Sequence, residues 1–383
     1  MGNTFLMPQK IISGNDVISE LGDHIKGKGN KALIVTDSFM VKSGNIVKVE
    51  TALKKCDIAY VIYDGANTEP TDLIVDAGLK VYKEEKCDFI IALGGGSPMD
   101  TAKAIAFMSV SSGKLRDYMH KSIDMRVPYL VAIPTTAGTG SEATKNTIIS
   151  DTETNVKMLL GGSSIIPALA VIDPSFTLTV PPKITAATGI DALTHSIEAY
   201  TSRRAQPMSD IFARSAFQKI HQNLLTCFND GDNMEARLKV SEGALEAGIA
   251  FNNSSVTIVH GMSRPIGALF HIAHGVSNAV LLPACLEFAV EGNIERFADL
   301  GRMMGVADIN TPDAQAAHAF VGEVAKFCKE LKIPTLAELG VNKDEFMVNL
   351  DKMADDALES GSPQNTMRIP DKEDIIGIYK KLF

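Results

Sequence analysis

The 383-residue chain is too long for one small domain and suits two of ordinary size. Hydrophobic residues make up 45% and charged residues 22%, a balance that allows a sizeable buried core. The net charge of −9, with no basic block, argues against nucleic acid or an anionic membrane as a partner.

In chain order, the opening MGNTFLMPQKII has no basic segment followed by a long apolar run, which argues against a signal peptide. Leu6 stands where a myristoylation motif needs Ser or Thr. Residues 31–37 (KALIVTD), 58–64, 89–93 and 129–134 are short apolar, β-branched runs ending at Gly, Pro or Asp, and they predict buried strands. Between them lie segments of helical period, such as Leu73, Ile74, Ala77 and Val81 after the Pro70-Thr71 start signal. After residues 171–174 and the joint at Pro181-Pro182, helical periodicity dominates. The expected fold is therefore an N-terminal Rossmann-like α/β domain with a mostly parallel sheet (residues 1–180), followed by an all-α domain (181–383), with a site in the cleft between them. No run reaches the ~18 apolar residues of a membrane span. Cys56, Cys87, Cys227, Cys285 and Cys328 are scattered, odd in number and form no CxxC. A cytoplasmic protein without disulfides or a thiolate metal site is the expectation.

Two turns carry candidate cofactor chemistry. The strand at residues 90–93 runs into Gly94, Gly95, Gly96, Ser97 and Pro98, then into the helical TAKAIAFM. Strand, glycine turn and helix N-terminus together present free N–H groups to an anion, and Pro98 suits a first helical turn. GGGSPM lacks the third Gly of GxGxxG and follows the third predicted strand, so a purely structural turn reads equally well. Residues 133–142 (IPTTAGTGSE) repeat the pattern of a strand followed by a Gly- and hydroxyl-rich turn. Two such turns on neighbouring strands could grip one extended cofactor; each could also merely satisfy its own backbone. Asp37, at the end of the first well-defined strand, can accept from an adenosine ribose and repel a 2′-phosphate, which favours NAD; it can equally cap a turn.

The second half holds a candidate metal set. Asp191 and His195 in ATGIDALTHSIEAY are four apart on one helix face. His260 and His274 in HGMSRPIGALFHIAHG are fourteen apart, each followed by Gly. Three imidazoles and a carboxylate suit Fe(II), Zn(II) or a similar ion. Singly, each is also at home as a surface pair or a hydrogen-bonded core histidine.

The motifs GGGSPMDTAKAIA, PTTAGTGSEAT, ATGIDALTHSIEAY and HGMSRPIGALFHIAHG, with the ending QNTMRIPDKEDIIGIYKKLF, occur in this order along the chain. With them the chain resembles the iron-containing (group III) alcohol dehydrogenases over essentially its whole length. The resemblance implies that Asp191, His195, His260 and His274 are metal ligands, with Fe(II) first and Zn(II) or Mn(II) as alternatives. It implies that Gly95, Gly96, Ser97, Thr136 and Thr139 contact NAD, with Asp37 on the ribose and Asn67 and Lys157 as further contacts. Asn146 and Phe251 match positions near the substrate, and a homodimer or larger homo-oligomer is implied. Many members carry a histidine four residues after the first ligand of the second motif; here Arg264 stands there, and His271 precedes the last ligand. His271 is thus the candidate proton relay. Arg264, if it faces the cleft, is a candidate for recognising an anionic substrate.

The expected chemistry is interconversion of a short-chain alcohol and its aldehyde, with the metal as Lewis acid and the nicotinamide as hydride carrier. A small aldehyde bearing a carboxylate or sulfonate, such as succinic semialdehyde or sulfoacetaldehyde, would fit Arg264. A neutral substrate is the alternative, should Arg264 make an internal pair or cap its helix. A metallohydrolase using the same ligands, or a nucleotide-binding protein without catalysis, are the readings from other classes.

Overall fold

A computed structural model describes residues 2–383. The described chain divides into two compact units: Leu6–Thr179, and Val180–Phe383 together with residues 2–5. The N-terminal residues thus group with the helical unit, which no sequence pattern had indicated.

The first unit holds β1 (Lys10–Ser13), β2 (Lys31–Val35), β3 (Ala59–Tyr63), β4 (Phe89–Gly94), β5 (Tyr129–Pro134), β6 (Asn146–Asp151), β7 (Val156–Gly161) and β8 (Leu169–Ile172). Six of them form one parallel sheet in the order β1-β8-β5-β4-β2-β3, while β6 and β7 make a separate antiparallel hairpin. Because side chains alternate along a strand, the central strands feed two cores. Leu33, Val35, Ile90 and Ala92 pack on one side with Ala102, Ile105 and Ala106 of helix Gly96–Met108. Ala32, Ile34, Phe89, Ile91 and Leu93 pack on the other with Val49 and Leu53 of helix Ile46–Lys54. The chain leaves β2 for β3 at the edge and returns to β4 on the other flank of β2. That reversal opens a crevice beyond the carboxyl ends of β2 and β4, the place where open α/β sheets bind ligands.

In the second unit the regular secondary structure among the described residues is helical, apart from one isolated bridge, Ser202 to Thr366. Helix Pro182–Thr201 is buried at every position from Gly189 to Thr201. A helix enclosed on all sides must satisfy its polar groups internally, so Asp191, His195 and Glu198 in its interior call for a chemical reason. Among the described residues, no helix is long and apolar enough to cross a membrane.

Candidate metal centre and cofactor loops

Asp191, His195 and Glu198 lie along one face of helix Pro182–Thr201. Helix Ile258–Phe270 brings His260 to them, and helix His274–Ala289 brings His274. One ligand-capable atom each of Asp191, His195 and His260 lies within 4.8 Å of the others, and all three side chains are buried. His274 is half exposed; its Nε2 is 3.9 Å from Asp191 Oδ1, against 3.5 Å for His260 Nε2. The His195 ring is stacked with Phe251, at 4.3 Å between centroids, and with His260, at 4.4 Å.

Burial pushes the His195 pKa down to about 3, so the ring is neutral and has a lone pair to give. Burial would raise the pKa of Asp191, but the imidazoles of His195, His260 and His274 outweigh it and keep the carboxylate ionised. For His260, burial lowers the pKa, but Glu198 and Asp191 prevail and hold it near 9. His195 Nδ1 and Asn278 Oδ1 are buried polar atoms without a hydrogen-bond partner. One ionised carboxylate and converging imidazoles, with such orphaned atoms beside them, fit a divalent first-row metal ion.

Sequence reasoning missed two members of this cluster. Asn278 Nδ2 donates to Asp191 Oδ1 at 2.7 Å and lies 3.1 Å from Nε2 of both His260 and His274. Its available signal was its place four residues after His274. Glu198 accepts from Thr257, from Val259 N–H and from His260 Nδ1. Its signal was the spacing of three from His195 and seven from Asp191 on an apolar helix.

Arg264, one helical turn after His260, is partly buried and makes no hydrogen bond or ion pair with any described residue. Glu198 acts on it electrostatically. His271 ends the same helix in a left-handed conformation (φ 55°) and is exposed, outside the hydrogen-bond network of Asp191, His260 and His274.

In the first unit, the two glycine turns leave neighbouring parallel strands, with Gly94 in register with Pro134. Thr135 N–H donates to Gly94 O at 3.0 Å, which ties the turns together. They approach closely: a Cβ built on Gly95 would lie 3.3 Å from Thr136 Oγ1, and one on Gly96 3.3 Å from Thr139 Cγ2. Gly95 is the N-cap of helix Gly96–Met108, so the N–H groups of Gly96 and Ser97 open the helix at the sheet reversal, with Pro98 in its first turn. Asp37 Oδ1 caps helix Ser38–Lys42 by accepting from Met40 N–H at 2.9 Å. Asn67 accepts from Ser38 N–H at 2.7 Å, and Lys157 pairs with Glu69 at 2.6 Å. Asn146 opens β6, and its carbonyl accepts from Lys103 Nζ at 2.9 Å.

The sequence model described as iron-containing alcohol dehydrogenase matches residues 8–174, and that of the C-terminal part of the same family matches 185–383. The 1,3-propanediol dehydrogenase of Citrobacter freundii is 36% identical over 384 residues, covering 99% of this chain and 98% of that protein. A solved 1,3-propanediol oxidoreductase superimposes with a TM-score of 0.96 at 34% identity, over the whole of both chains. The sulfoacetaldehyde reductase of Bifidobacterium kashiwanohense, solved in complex with NAD+, superimposes with a TM-score of 0.88 at 25% identity, over 100% of this chain and 99% of that one.

Proposed function

The chain belongs to the iron-containing alcohol dehydrogenase family, and from that premise we propose that it interconverts a short-chain primary alcohol and its aldehyde with NAD(H) by metal-assisted hydride transfer, preferring small anionic aldehydes. The convergence of Asp191, His195 and His260 carries this reading. Together with His274 they would hold a divalent ion, Fe(II) first, with Zn(II) or Mn(II) also suited to one carboxylate and three imidazoles. When bound, such an ion supplies Lewis acidity toward the substrate oxygen. Phe251, stacked on His195, offers an apolar wall beside the carbon chain.

In the first unit, the N–H groups of Gly95, Gly96 and Ser97 would receive the cofactor's pyrophosphate, with the Thr136 and Thr139 hydroxyls as further donors. Asp37 uses Oδ1 for its helix cap and would offer its other oxygen to the ribose. Asn67 and Lys157 would add cofactor contacts, and Asn146 a neutral donor toward substrate. The first turn lies at the sheet reversal and the second leaves the neighbouring strand β5, which supports this assignment. A relay role for His271 rests on its closeness in sequence to His274.

The substrate class turns on Arg264. A guanidinium that is partly buried yet unpaired has donors left for an oxyanion, and it shares a helix face with His260. One solved relative is named for sulfoacetaldehyde, and others for a neutral diol. Arg264 favours the anionic class, of the sulfoacetaldehyde or succinic semialdehyde type. The test is anaerobic NADH oxidation with Fe(II) restored, across neutral and anionic short aldehydes, for the wild type and Arg264→Ala. Loss of a charged hydrogen bond predicts a ~10–100-fold fall in kcat/KM on the anionic aldehydes and a much smaller one on neutral aldehydes. An equal fall on both classes would discard the anion-recognising role. Absence of any turnover with metal and NAD both bound would overturn the proposed reaction.

A further inference from the structure

Glu198 is a carboxylate only 1% exposed in the interior of the second unit. Its Oε1 accepts from Thr257 Oγ1 at 2.7 Å and from Val259 N–H at 2.8 Å, while Oε2 meets His260 Nδ1. The first two donors lie at the start of helix Ile258–Phe270, where backbone N–H groups have no partner within the helix. The third is the ring of a candidate metal ligand. We infer that Glu198 is a positioning residue for the metal centre, holding His260 with its proton on Nδ1 so that the Nε2 lone pair is presented to the metal.

The argument follows from what each group can do. An ionised carboxylate only accepts, so the ring nitrogen that faces it must carry hydrogen. An imidazole that ligates a metal ion keeps one N–H, and fixing it on Nδ1 assigns Nε2, on the side of Asp191, as the nitrogen that would give its lone pair to the ion. Asp191, His195 and Glu198 share one helix, so the group that orients His260 is rigidly tied to two other candidate ligands. This inference rests on the metal reading above. The competing account is that Glu198 only caps the helix that begins at Ile258.

Two variants separate the accounts. Glu198→Gln is isosteric; its carbonyl can still accept from Thr257 and Val259, but its NH2 faces Nδ1 and cannot accept from it. Thr257→Val removes one capping donor and leaves the contact between Glu198 and His260. Metal-stripped protein is titrated with Zn(II) against a chromophoric chelator, the Co(II) form is read by its visible absorption, and melting is followed without metal. Loss of such an orienting partner predicts a ~10–100-fold weaker Zn(II) affinity for Glu198→Gln, with an altered Co(II) spectrum and a near-wild-type metal-free Tm. Thr257→Val is expected to lower the metal-free Tm while keeping Zn(II) affinity within ~3-fold. Wild-type affinity and spectrum in Glu198→Gln would overturn the inference. Should that variant not fold, nitrogen NMR of the Zn(II)-loaded wild type decides: a protonated Nδ1 on His260 supports the inference, and a protonated Nε2 overturns it. Failure of the metal reading itself looks different, since the wild type would then take up no stoichiometric Zn(II), or Asp191→Ala would bind it unchanged.

Discussion

Lys103 and Glu142 show how much a single buried charge constrains the cofactor loops. Lys103, on the helix that begins in the first glycine turn, is 1% exposed and donates to Ser141 Oγ at 2.9 Å, Thr144 Oγ1 at 3.0 Å and Asn146 O at 2.9 Å. It thereby fastens the segment after the second turn to the helix after the first. Burial lowers its pKa to about 8, and burial raises that of Glu142 to about 7. A carboxyl whose folded pKa is raised binds more protons folded than unfolded, so its contribution to stability is complete below its unfolded value and is lost as pH rises through about 7. Lys103 remains largely charged across that window. Glu142→Gln should therefore gain stability relative to the wild type between pH 5 and pH 7.5, by on the order of 2–3 kcal/mol at most. Urea unfolding at the two pH values measures this, and a gap that stays constant or narrows with pH would refute it.

At the scale of elements, the metal cluster depends on how closely helix His274–Ala289 approaches helix Pro182–Thr201. Gly275 is the contact point: a Cβ there would lie 2.9 Å from the Ala187 carbonyl oxygen and 3.6 Å from Asp191 Cβ. Backbone cannot yield as a side chain can, so Gly275→Ala should push the helix bearing His274 away from Asp191. A cost of about 1–3 kcal/mol in stability is expected, with reduced metal content at equal total metal. Elemental analysis beside urea unfolding tests this; full metal loading would show that the close approach serves packing alone. The same dependence on assembly explains what could be read in advance. Tyr129–Pro134 was expected as a strand and is β5, and β2 and β4 lie close to their predicted runs, because largely buried strands carry unbroken apolar stretches; β3, at the sheet edge and only partly buried, was legible from its β-branched and aromatic run. The four-residue β1 escaped because it is short, with Lys and Ser exposed at its ends, and the hairpin β6/β7 because buried positions are interleaved with more exposed ones that include Asn, Ser and Lys. Asp191 and His195 were legible because four residues on a helix is a local spacing. Glu198 and Asn278 were not, because Glu198 meets a helix some sixty residues away and Asn278 donates to Asp191 eighty-seven residues before it, and a lone Glu or Asn declares no such partner.

At the scale of the whole molecule, the two ligands of the proposed reaction fall on residues of different compact units. All candidate metal ligands lie within Val180–Phe383, and Asp37, Asn67, the glycine turns and Lys157 lie within Leu6–Thr179. A ligand that binds only the folded form stabilises it by mass action, about 2.7 kcal/mol when present at a hundredfold over its Kd. Local opening reads that stabilisation where the bound groups are, because protection from amide exchange varies from one cooperative region to another. Hydrogen exchange should therefore show two separate footprints. Zn(II) or Fe(II) should slow exchange in helices Pro182–Thr201, Ile258–Phe270 and His274–Ala289, and chelation should reverse it. NAD without metal should slow exchange around residues 95–97, residues 135–139 and Asp37. Metal protection confined to the glycine turns, or NAD protection confined to the three helices, would contradict the assignment of each ligand to its residues. Footprints as assigned would locate both sites by a measurement that needs no substrate and no turnover.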